Sequence, residues 1–289
     1  MKFSPLYRIP KVLLTTENSK TTKGEKLGYT TYIMYLSPHI QNSKGKNLCA
    51  KASPGCAKAC LHKSGAARFS PVQNGKLNKT EYYLADRKGF MKQLITELGK
   101  IETKHKAIVG DEKAIGTKGK VLYKKFAVRL NGTSDIPYEN LRLFRIVNGK
   151  IWVYNKPNKN LKNIFELFPN IQFYDYTKGD NRFDKVLPTN YHLTFSRSEI
   201  NDKESLDLLN RGYNVAVVFG VKNVADFPTT YKGFKVIDGD TSDLRFLDEE
   251  NVIVGLKYKL TTIKGSKGVN KDNLENNDFI INIESKVLA

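Results

Sequence analysis

Three cysteines lie within twelve consecutive positions of this 289-residue chain, which has no others. They are Cys49, Cys56 and Cys60. Thiolates bind metals and act as nucleophiles, so three of them in one short stretch predict a shared electrophile. The small residues and lysines between them suit a loop around an anionic cluster, because they admit backbone N–H groups to the sulfurs and offset their charge. The favoured hypothesis is an iron–sulfur cluster with one iron left open to a small molecule.

Two other interpretations of the cysteines stay open. Zinc could be bound by Cys49, Cys56 and Cys60 together with His62, because three cysteines and one histidine form an accepted tetrahedral ligand set. His62 follows Cys60 by only two positions, which is closer than the usual spacing of zinc ligands. The third interpretation has no metal at all, and the cysteines form one disulfide and a spare thiol or are simply small buried residues.

The composition indicates a folded protein of a reducing compartment. Apolar residues make up 40% of the chain and aromatic residues 11%, which favours a globular core over disorder. No apolar run reaches the roughly 18 residues that a membrane span needs, and the first residues lack the apolar region of a signal peptide. An odd number of cysteines is a poor disulfide framework. The prediction is a cytoplasmic protein with no membrane partner and an undetermined oligomeric state.

The basic charge is concentrated in the first half of the chain. The formal net charge is +19, and residues 1–150 hold 29 Lys and Arg against 10 Asp and Glu. The remaining residues hold 19 of each and balance to zero. A one-sided basic field attracts polyanions, so a nucleic acid is the predicted partner. Lysine-rich codon usage is the alternative, but it does not explain why acidic residues are scarce in one half only.

The elements that must position these residues alternate between strands and helices. Short apolar runs predict strands at 29–36, 125–130, 171–176, 191–196, 214–219, 234–237 and 252–256. Helical periodicity predicts helices at 78–101, 161–168 and 203–211. Near-continuous apolar strands are typical of parallel sheets, so the predicted fold is α/β, a partial TIM-like (β/α) barrel of mostly parallel strands. The predicted organisation is an N-terminal arm (1–28), a barrel-like catalytic domain (29–260) with its cysteine loop at 47–70, and a C-terminal tail (261–289) packed on the barrel.

Polar residues follow most of the predicted strands. In parallel α/β folds the loops at the carboxyl ends of the strands converge on one face, so these residues are predicted to surround the cysteine loop. Each of them alone would be an ordinary helix cap or turn residue. The residues are Asn131, Ser134, Asp135, Asp175, Tyr176, Lys178, Ser196, Glu199, Asp238, Asp240 and Lys257.

The order of predicted elements resembles that of the radical S-adenosylmethionine (SAM) enzymes. It consists of a strand, a three-cysteine loop and a helix, followed by further βα units. The resemblance implies that Cys49, Cys56 and Cys60 hold a [4Fe-4S] cluster whose open iron binds SAM. The spacing here is Cys-x6-Cys-x3-Cys, whereas that superfamily usually has Cys-x3-Cys-x2-Cys.

At closer range the chain resembles the gene-product-88-like family of bacteriophage proteins. The resemblance extends over about residues 29–260. The matching stretches are 47–61, 129–136, 173–178, 190–196, 214–219, 238–245 and 254–257.

These observations together predict a phage-encoded, radical-SAM-like iron–sulfur enzyme acting on nucleic acid or a nucleotide-derived substrate in the host cytoplasm. The predicted catalytic residues are Asp135, Tyr176, Lys178 and Glu199. The predicted cofactor-binding residues are Asn131, Ser134, Asp175, Ser196, Asp238, Asp240 and Lys257. The alternative is a DNA-binding or replication-related phage protein with a structural zinc or cluster. A zinc-dependent hydrolase is a third option.

Overall fold

The computed structural model describes residues 7–16, 21–60, 67, 69–109, 113–116, 119, 121–259 and 277–283. The chain divides into two compact units. Unit 1 comprises residues 1–48, 74–175 and 186–192, and unit 2 comprises residues 49–73, 176–185 and 193–289. Each unit is built from separate chain segments, and the arm, domain and tail of the sequence analysis stay a prediction.

Helices and strands alternate along the described chain. The helices are α1 (Thr21–Glu25), α2 (Pro54–Lys58), α3 (Ser70–Ala85), α4 (Arg87–Lys106), α5 (Ile164–Leu167) and α6 (Asp202–Asn210). The first seven strands are β1 (Leu14–Thr15), β2 (Tyr29–Met34), β3 (Lys113–Ile115), β4 (Val121–Tyr123), β5 (Lys125–Arg129), β6 (Phe144–Val147) and β7 (Lys150–Val153). The others are β8 (Gln172–Thr177), β9 (Tyr191–Ser196), β10 (Val215–Phe219), β11 (Thr230–Tyr231), β12 (Phe234–Asp238), β13 (Ile253–Lys257) and β14 (Ile280–Ile281).

Ten strands form one large, mostly parallel sheet. Its order is β1-β2-β5-β8-β9-β10-β13-β12-β11, with β14 paired to β10. The prediction of an α/β fold with mostly parallel strands is therefore confirmed. Among the strands that the structure describes, the order has two ends, at β1 and β11, so no closed barrel is formed. The radical-SAM-like partial barrel stays a prediction.

Unit 1 is built on the parallel pair of β2 and β5, with β1 antiparallel to β2 at the edge. Helix α4 buries one apolar stripe, formed by Phe90, Met91, Leu94, Ile95 and Leu98. These positions recur every three or four residues, which places them on one helical face. The opposite face of α4 carries its lysines and is exposed.

The single long helix predicted for residues 78–101 is two helices, α3 and α4. Asp86 separates them, and its carboxylate accepts a hydrogen bond from the Gly89 N–H at 2.8 Å. An aspartate that caps a helix start in this way satisfies one of the donors that the first turn leaves open. Between the helix predicted at 78–101 and the strand predicted at 125–130, the chain contains the end of α4 and a small antiparallel hairpin of β3 and β4.

Unit 2 is built on apolar parallel strands. Every residue of β10 pairs with a residue of β13, from Val215 with Ile253 to Phe219 with Lys257. Strand β14 pairs with the end of β10, because Val218 lies opposite Ile280 and Phe219 opposite Ile281. In the part of the chain that the structure describes, no helix has both the length and the apolar content needed to cross a bilayer.

Candidate functional site

The cysteine loop contains the short helix α2. Ser53 caps the start of α2, and its hydroxyl accepts a hydrogen bond from the Cys56 N–H at 3.1 Å. Pro54 occupies the first turn, where its missing N–H costs nothing and its fixed φ suits a helix. Cys56 lies within α2, and Cys60 follows the helix by two residues. All three cysteines are half-buried.

Glu199 holds the start of α2 in place. Its carboxylate accepts hydrogen bonds from the Ser53 hydroxyl and from the Gly55 N–H, each at 2.6 Å. Asn277 donates from its side-chain amide to the Gly55 carbonyl at 3.2 Å. A Cβ added to Gly55 would lie 2.3 Å from Asn277 Oδ1 and 2.7 Å from Glu199 Oε1. A larger residue at this position would therefore displace the side chains of Asn277 and Glu199.

An apolar cluster lies on the other side of α2. Ala59, Tyr258, Phe279 and Ile280 form its buried part, and Cys56 packs against it. The predicted site residue Lys178 reaches the same cluster, because its ammonium lies 5.2 Å from the centre of the Phe279 ring. A cation over an aromatic face is attracted by the ring quadrupole.

Three predicted strand-end residues of unit 2 are connected to the cysteine loop, Glu199 directly and Lys178 and Ser196 indirectly. Lys178 donates a hydrogen bond to the Ser196 hydroxyl at 2.6 Å, which joins the ends of β8 and β9. Glu199, three residues beyond Ser196, contacts α2 directly. The role of these residues in a site stays a prediction from the sequence.

The acidic residues after β12 form a turn in unit 2. Asp238 accepts hydrogen bonds from the Asp240 and Thr241 N–H groups at 2.7 and 3.2 Å and from the Thr241 hydroxyl. Asp240 accepts one from the Lys257 N–H at 2.6 Å, and its other oxygen lies 3.8 Å from the Lys259 ammonium. These contacts connect the turn to the end of β13. The remaining predicted residue of unit 2, Tyr176, is half-buried on β8.

The other predicted residues lie in unit 1 and form a buried polar network. Asp175 is fully buried and accepts hydrogen bonds from the Asn131 N–H at 2.7 Å, the Asn131 amide at 3.0 Å and the Tyr191 hydroxyl at 3.1 Å. Asn131 Oδ1 accepts from the Ser134 hydroxyl and the Ile136 N–H, both at 2.9 Å. Asp135 donates its N–H to the Leu48 carbonyl at 2.8 Å. These hydrogen bonds fix the conformation of the loop after β5. They also give the buried polar atoms of the network hydrogen-bond partners.

The described residues do not supply a ligand set for the predicted metal. No group of three or more histidine, cysteine, aspartate or glutamate side chains that could hold a metal ion occurs among them, although Cys49, Cys56 and Cys60 are all described. His62 lies outside the described residues. The described side chains therefore contain no complete ligand set for a [4Fe-4S] cluster or a zinc ion, and no reaction step is derived through either. The cluster, its SAM and the alternative zinc stay predictions from the sequence.

Glu199 is expected to stabilise unit 2 in a pH-dependent way. Partial burial raises the pKa of this carboxyl, but hydrogen bonds from Ser53 and Gly55 and the nearby Arg197 guanidinium outweigh the burial and lower the pKa below its usual range. A lowered folded-state pKa means that the stabilisation is present above the usual pKa and is lost as pH falls through the folded value. Glu199→Gln should therefore lower the free energy of unfolding by about 1–3 kcal/mol at neutral pH and by much less in acid.

Urea denaturation of the wild type and the Glu199→Gln variant at neutral and acidic pH tests this expectation. The exposed Glu250 supplies a matched control, since Glu250→Gln should leave the midpoint nearly unchanged at both pH values. An equal loss at both pH values would contradict a role for the ionised Glu199.

The sequence analysis located the basic charge in the first half of the chain but did not identify a particular surface that carries it. The charged side chains that are exposed on α4 are all basic, namely Arg87, Lys88, Lys92, Lys100, Lys104 and Lys106. The two acidic residues of α4 are partly buried and engaged. Glu97 accepts hydrogen bonds from the Leu13 and Leu14 N–H groups, and Glu102 pairs with Lys106 at 2.9 Å. Lys88, Lys92, Lys100 and Lys104 lie opposite the apolar stripe, and we call these four lysines the basic face of α4.

A search of curated proteins and a search of solved structures found no match to this chain. A family model described as gene product 88 matches residues 12–272, which is most of the chain. The match confirms the family that the sequence predicted, and it extends beyond the stretches on which that prediction rested. The chain belongs to the gene product 88 family.

Proposed function

We propose that this protein binds nucleic acid through unit 1. The observation that supports the proposal is the distribution of charge between the units. Unit 1 contains 28 Lys and Arg against 12 Asp and Glu, a balance of +16, whereas unit 2 contains 20 against 17. Nearly all of the net charge of +19 therefore belongs to one compact unit. A field of this size and sign attracts polyanions and accelerates their association.

The basic face of α4 gives that charge a defined surface. The helix rises about 1.5 Å per residue, so Lys88 and Lys104 are separated by about 24 Å along its axis. Duplex DNA presents roughly 14 phosphate charges over the same length. The acidic side chains of α4 are held by the N-terminal strand and by Lys106, so they do not neutralise the lysines at its exposed surface. A polyanion lying along the exposed side of α4 would meet the four lysines of the basic face, and the exposed Asp86 stands only at the helix start.

The proposal concerns binding, and no reaction step is derived. The polar residues of unit 2 gather around the cysteine loop, but the described side chains do not form a metal ligand set. The iron–sulfur enzyme that the sequence predicted therefore has no arrangement of thiols from which a step could be derived. Iron, sulfide and zinc analysis of protein purified without oxygen would test that hypothesis separately from nucleic-acid binding.

Neutralising the basic face should weaken binding to duplex DNA. We expect a variant carrying Lys88→Gln, Lys92→Gln and Lys100→Gln to bind about 10- to 100-fold more weakly than the wild type at moderate salt. The slope of log affinity against log salt should fall by about 2–3, because each phosphate contact contributes about 0.9. Fluorescence anisotropy of a labelled duplex, measured over a range of salt concentrations, gives both quantities.

The matched control removes the same number of charges from unit 2. Lys185, Lys203 and Lys222 are exposed or half-exposed there, and their triple change to glutamine should alter the affinity by less than about threefold. Equal losses in the two triple variants would show that only total charge matters and would contradict a surface on α4. A wild-type protein that binds no nucleic acid at low salt would end the proposal.

A further inference from the structure

The hairpin of β6 and β7 in unit 1 is a two-stranded sheet of its own. Its register pairs Phe144 with Val153, Arg145 with Trp152, Ile146 with Ile151, and Val147 with Lys150. The turn consists of Asn148 and Gly149, with φ of 49° and 72°. Two central residues with positive φ are typical of the tight turn that best matches the twist of a hairpin. The register is thereby fixed, and with it the face on which each side chain stands.

The hairpin is anchored at its base, and beyond that base both of its faces are exposed, including Ile146 and Ile151 on the face of Phe144 and Val153. Phe144 and Val153 form the base and are buried. The opposite face carries Arg145, Val147, Lys150 and Trp152, and Tyr154 continues it two residues beyond Trp152. Trp152 is 58% exposed and Tyr154 is 41% exposed. We call these five residues the outer face of the hairpin.

The segment around the hairpin is purely basic. Residues 141–165 contain six Lys and Arg and no Asp or Glu. Arg142 pairs with Glu166 at 2.8 Å, and the structure records no ion pair for Arg145 or Lys150 among the residues it describes. A contiguous exposed apolar patch rimmed by polar residues marks an interaction site, and Val147, Trp152 and Tyr154 stand together on the outer face beside two cations. The absence of acidic residues indicates that the partner is an anion.

We infer that the outer face of the hairpin binds single-stranded nucleic acid, with bases stacked on Trp152 and Tyr154 and phosphates held by Arg145 and Lys150. This inference rests on the proposed function and adds single-stranded nucleic acid, bound at a second surface of unit 1, to the duplex bound along α4. Every base has a π-face that can stack on an aromatic ring, and a basic groove follows the backbone. Trp152 and Tyr154 lie about 6.7 Å apart along the strand, roughly twice the rise between stacked nucleotides.

Charge and geometry distinguish this partner from the others that an aromatic surface could take. In a duplex the base faces are covered by their neighbours, so aromatic stacking requires unpaired bases. A second copy of this chain would bring another unit of charge +16 to the same surface, and the two would repel. A single strand supplies exposed base faces that can stack on the two aromatic rings. It also supplies negative charge that complements the basic side chains of this surface.

The test uses the full-length protein with labelled single-stranded and duplex oligonucleotides. Trp152 is the chain's one tryptophan, so its emission reports stacking directly, and we expect single-stranded DNA or RNA to quench it. Trp152→Ala should weaken single-strand binding about 10- to 100-fold and leave duplex binding within about twofold. Trp152→Phe should retain most of the single-strand affinity, because it keeps an aromatic face. Comparison of oligothymidine with oligouridine separates DNA from RNA.

Ile146 supplies the matched control, because it is 51% exposed and stands on the other face of the same hairpin. Ile146→Ala should change single-strand affinity less than about twofold, and the circular dichroism of all variants shows whether the fold is kept. Unchanged single-strand binding in Trp152→Ala, or equal losses for single strand and duplex, would overturn the inference while the proposed function stands. A wild type that binds duplex but no single strand would also overturn it. A wild type that binds neither would refute the proposed function and this inference with it.

Discussion

Replacing Asp175 by alanine should lower the free energy of unfolding by about 3–5 kcal/mol, which is a large fraction of the stability of a typical domain. The carboxylate is fully buried and accepts hydrogen bonds from the backbone and side chain of Asn131 and from the Tyr191 hydroxyl. Alanine would leave those three donors buried without this acceptor, and each such group costs about 1–3 kcal/mol. Urea denaturation with an unchanged dependence on denaturant would measure the loss.

Two further variants make the Asp175 experiment specific. Asp175→Asn keeps the shape but presents an amide N–H₂ to one of the donors, so its loss should be smaller than that of alanine. Asp184 is 62% exposed at its side chain and pairs with Arg211 at 3.1 Å, and Asp184→Ala should cost less than about 1 kcal/mol. A loss below about 1 kcal/mol for Asp175→Ala would show that the buried network does not hold the loop after β5.

Replacing Arg197 by methionine should release the segment 277–283 from unit 2. The side chain of Arg197 is 7% exposed and its Nε lies 2.6 Å from Asp202 Oδ1. Its Nη1 donates to the carbonyls of Asp278 at 2.5 Å and Phe279 at 3.3 Å. Methionine keeps the apolar bulk but offers neither carbonyl a donor, so we expect a loss of about 3 kcal/mol or more.

Hydrogen exchange can localise the effect of Arg197→Met. Amides of residues 277–283 should exchange at least about tenfold faster, whereas those of β12 and β13 should change much less, because their ladder is left intact. Arg211→Met is the control, since Arg211 is a half-exposed arginine paired with Asp184 and Asp207. Uniformly faster exchange throughout unit 2 would indicate general destabilisation instead of a local clamp.

The sequence predicted the strands well because their signal is local and strong. The run 214–219 is almost entirely apolar, and β10 occupies Val215–Phe219. The prediction of secondary structure failed in two situations. In one, the apolar periodicity continues across the boundary between two helices, and in the other, the strands are too short to show a pattern. Apolar residues keep their helical spacing through Asp86, so the end of α3 was invisible to periodicity. Strands β3 and β4 have three residues each, too few to show an alternating pattern.

The candidate site was predictable only in outline. The spacing of the cysteines identified the loop, and the rule about strand ends identified Lys178, Ser196 and Glu199 as its neighbours. The bond from Ser53 to Glu199 joins residues 146 positions apart, and no local pattern encodes such a contact. The exposure of Trp152 was not predictable either, because the sequence pattern of an apolar strand is the same whether the strand is buried or exposed to solvent. The acid-free run 141–165 was visible in the sequence and could have indicated that surface.

The contact between Asn277 and Gly55 joins residues 222 positions apart, which has a consequence for synthesis of the protein. Residues 74–175 form a continuous part of unit 1 and can begin to fold as they leave the ribosome. Helix α2 must wait for Glu199 and then for Asn277 before its surroundings are complete. Contacts between residues so far apart in the sequence form slowly, because closing the long intervening chain costs entropy. During that interval the cysteines of the nascent chain are more accessible to oxidants and chaperones than in the finished protein.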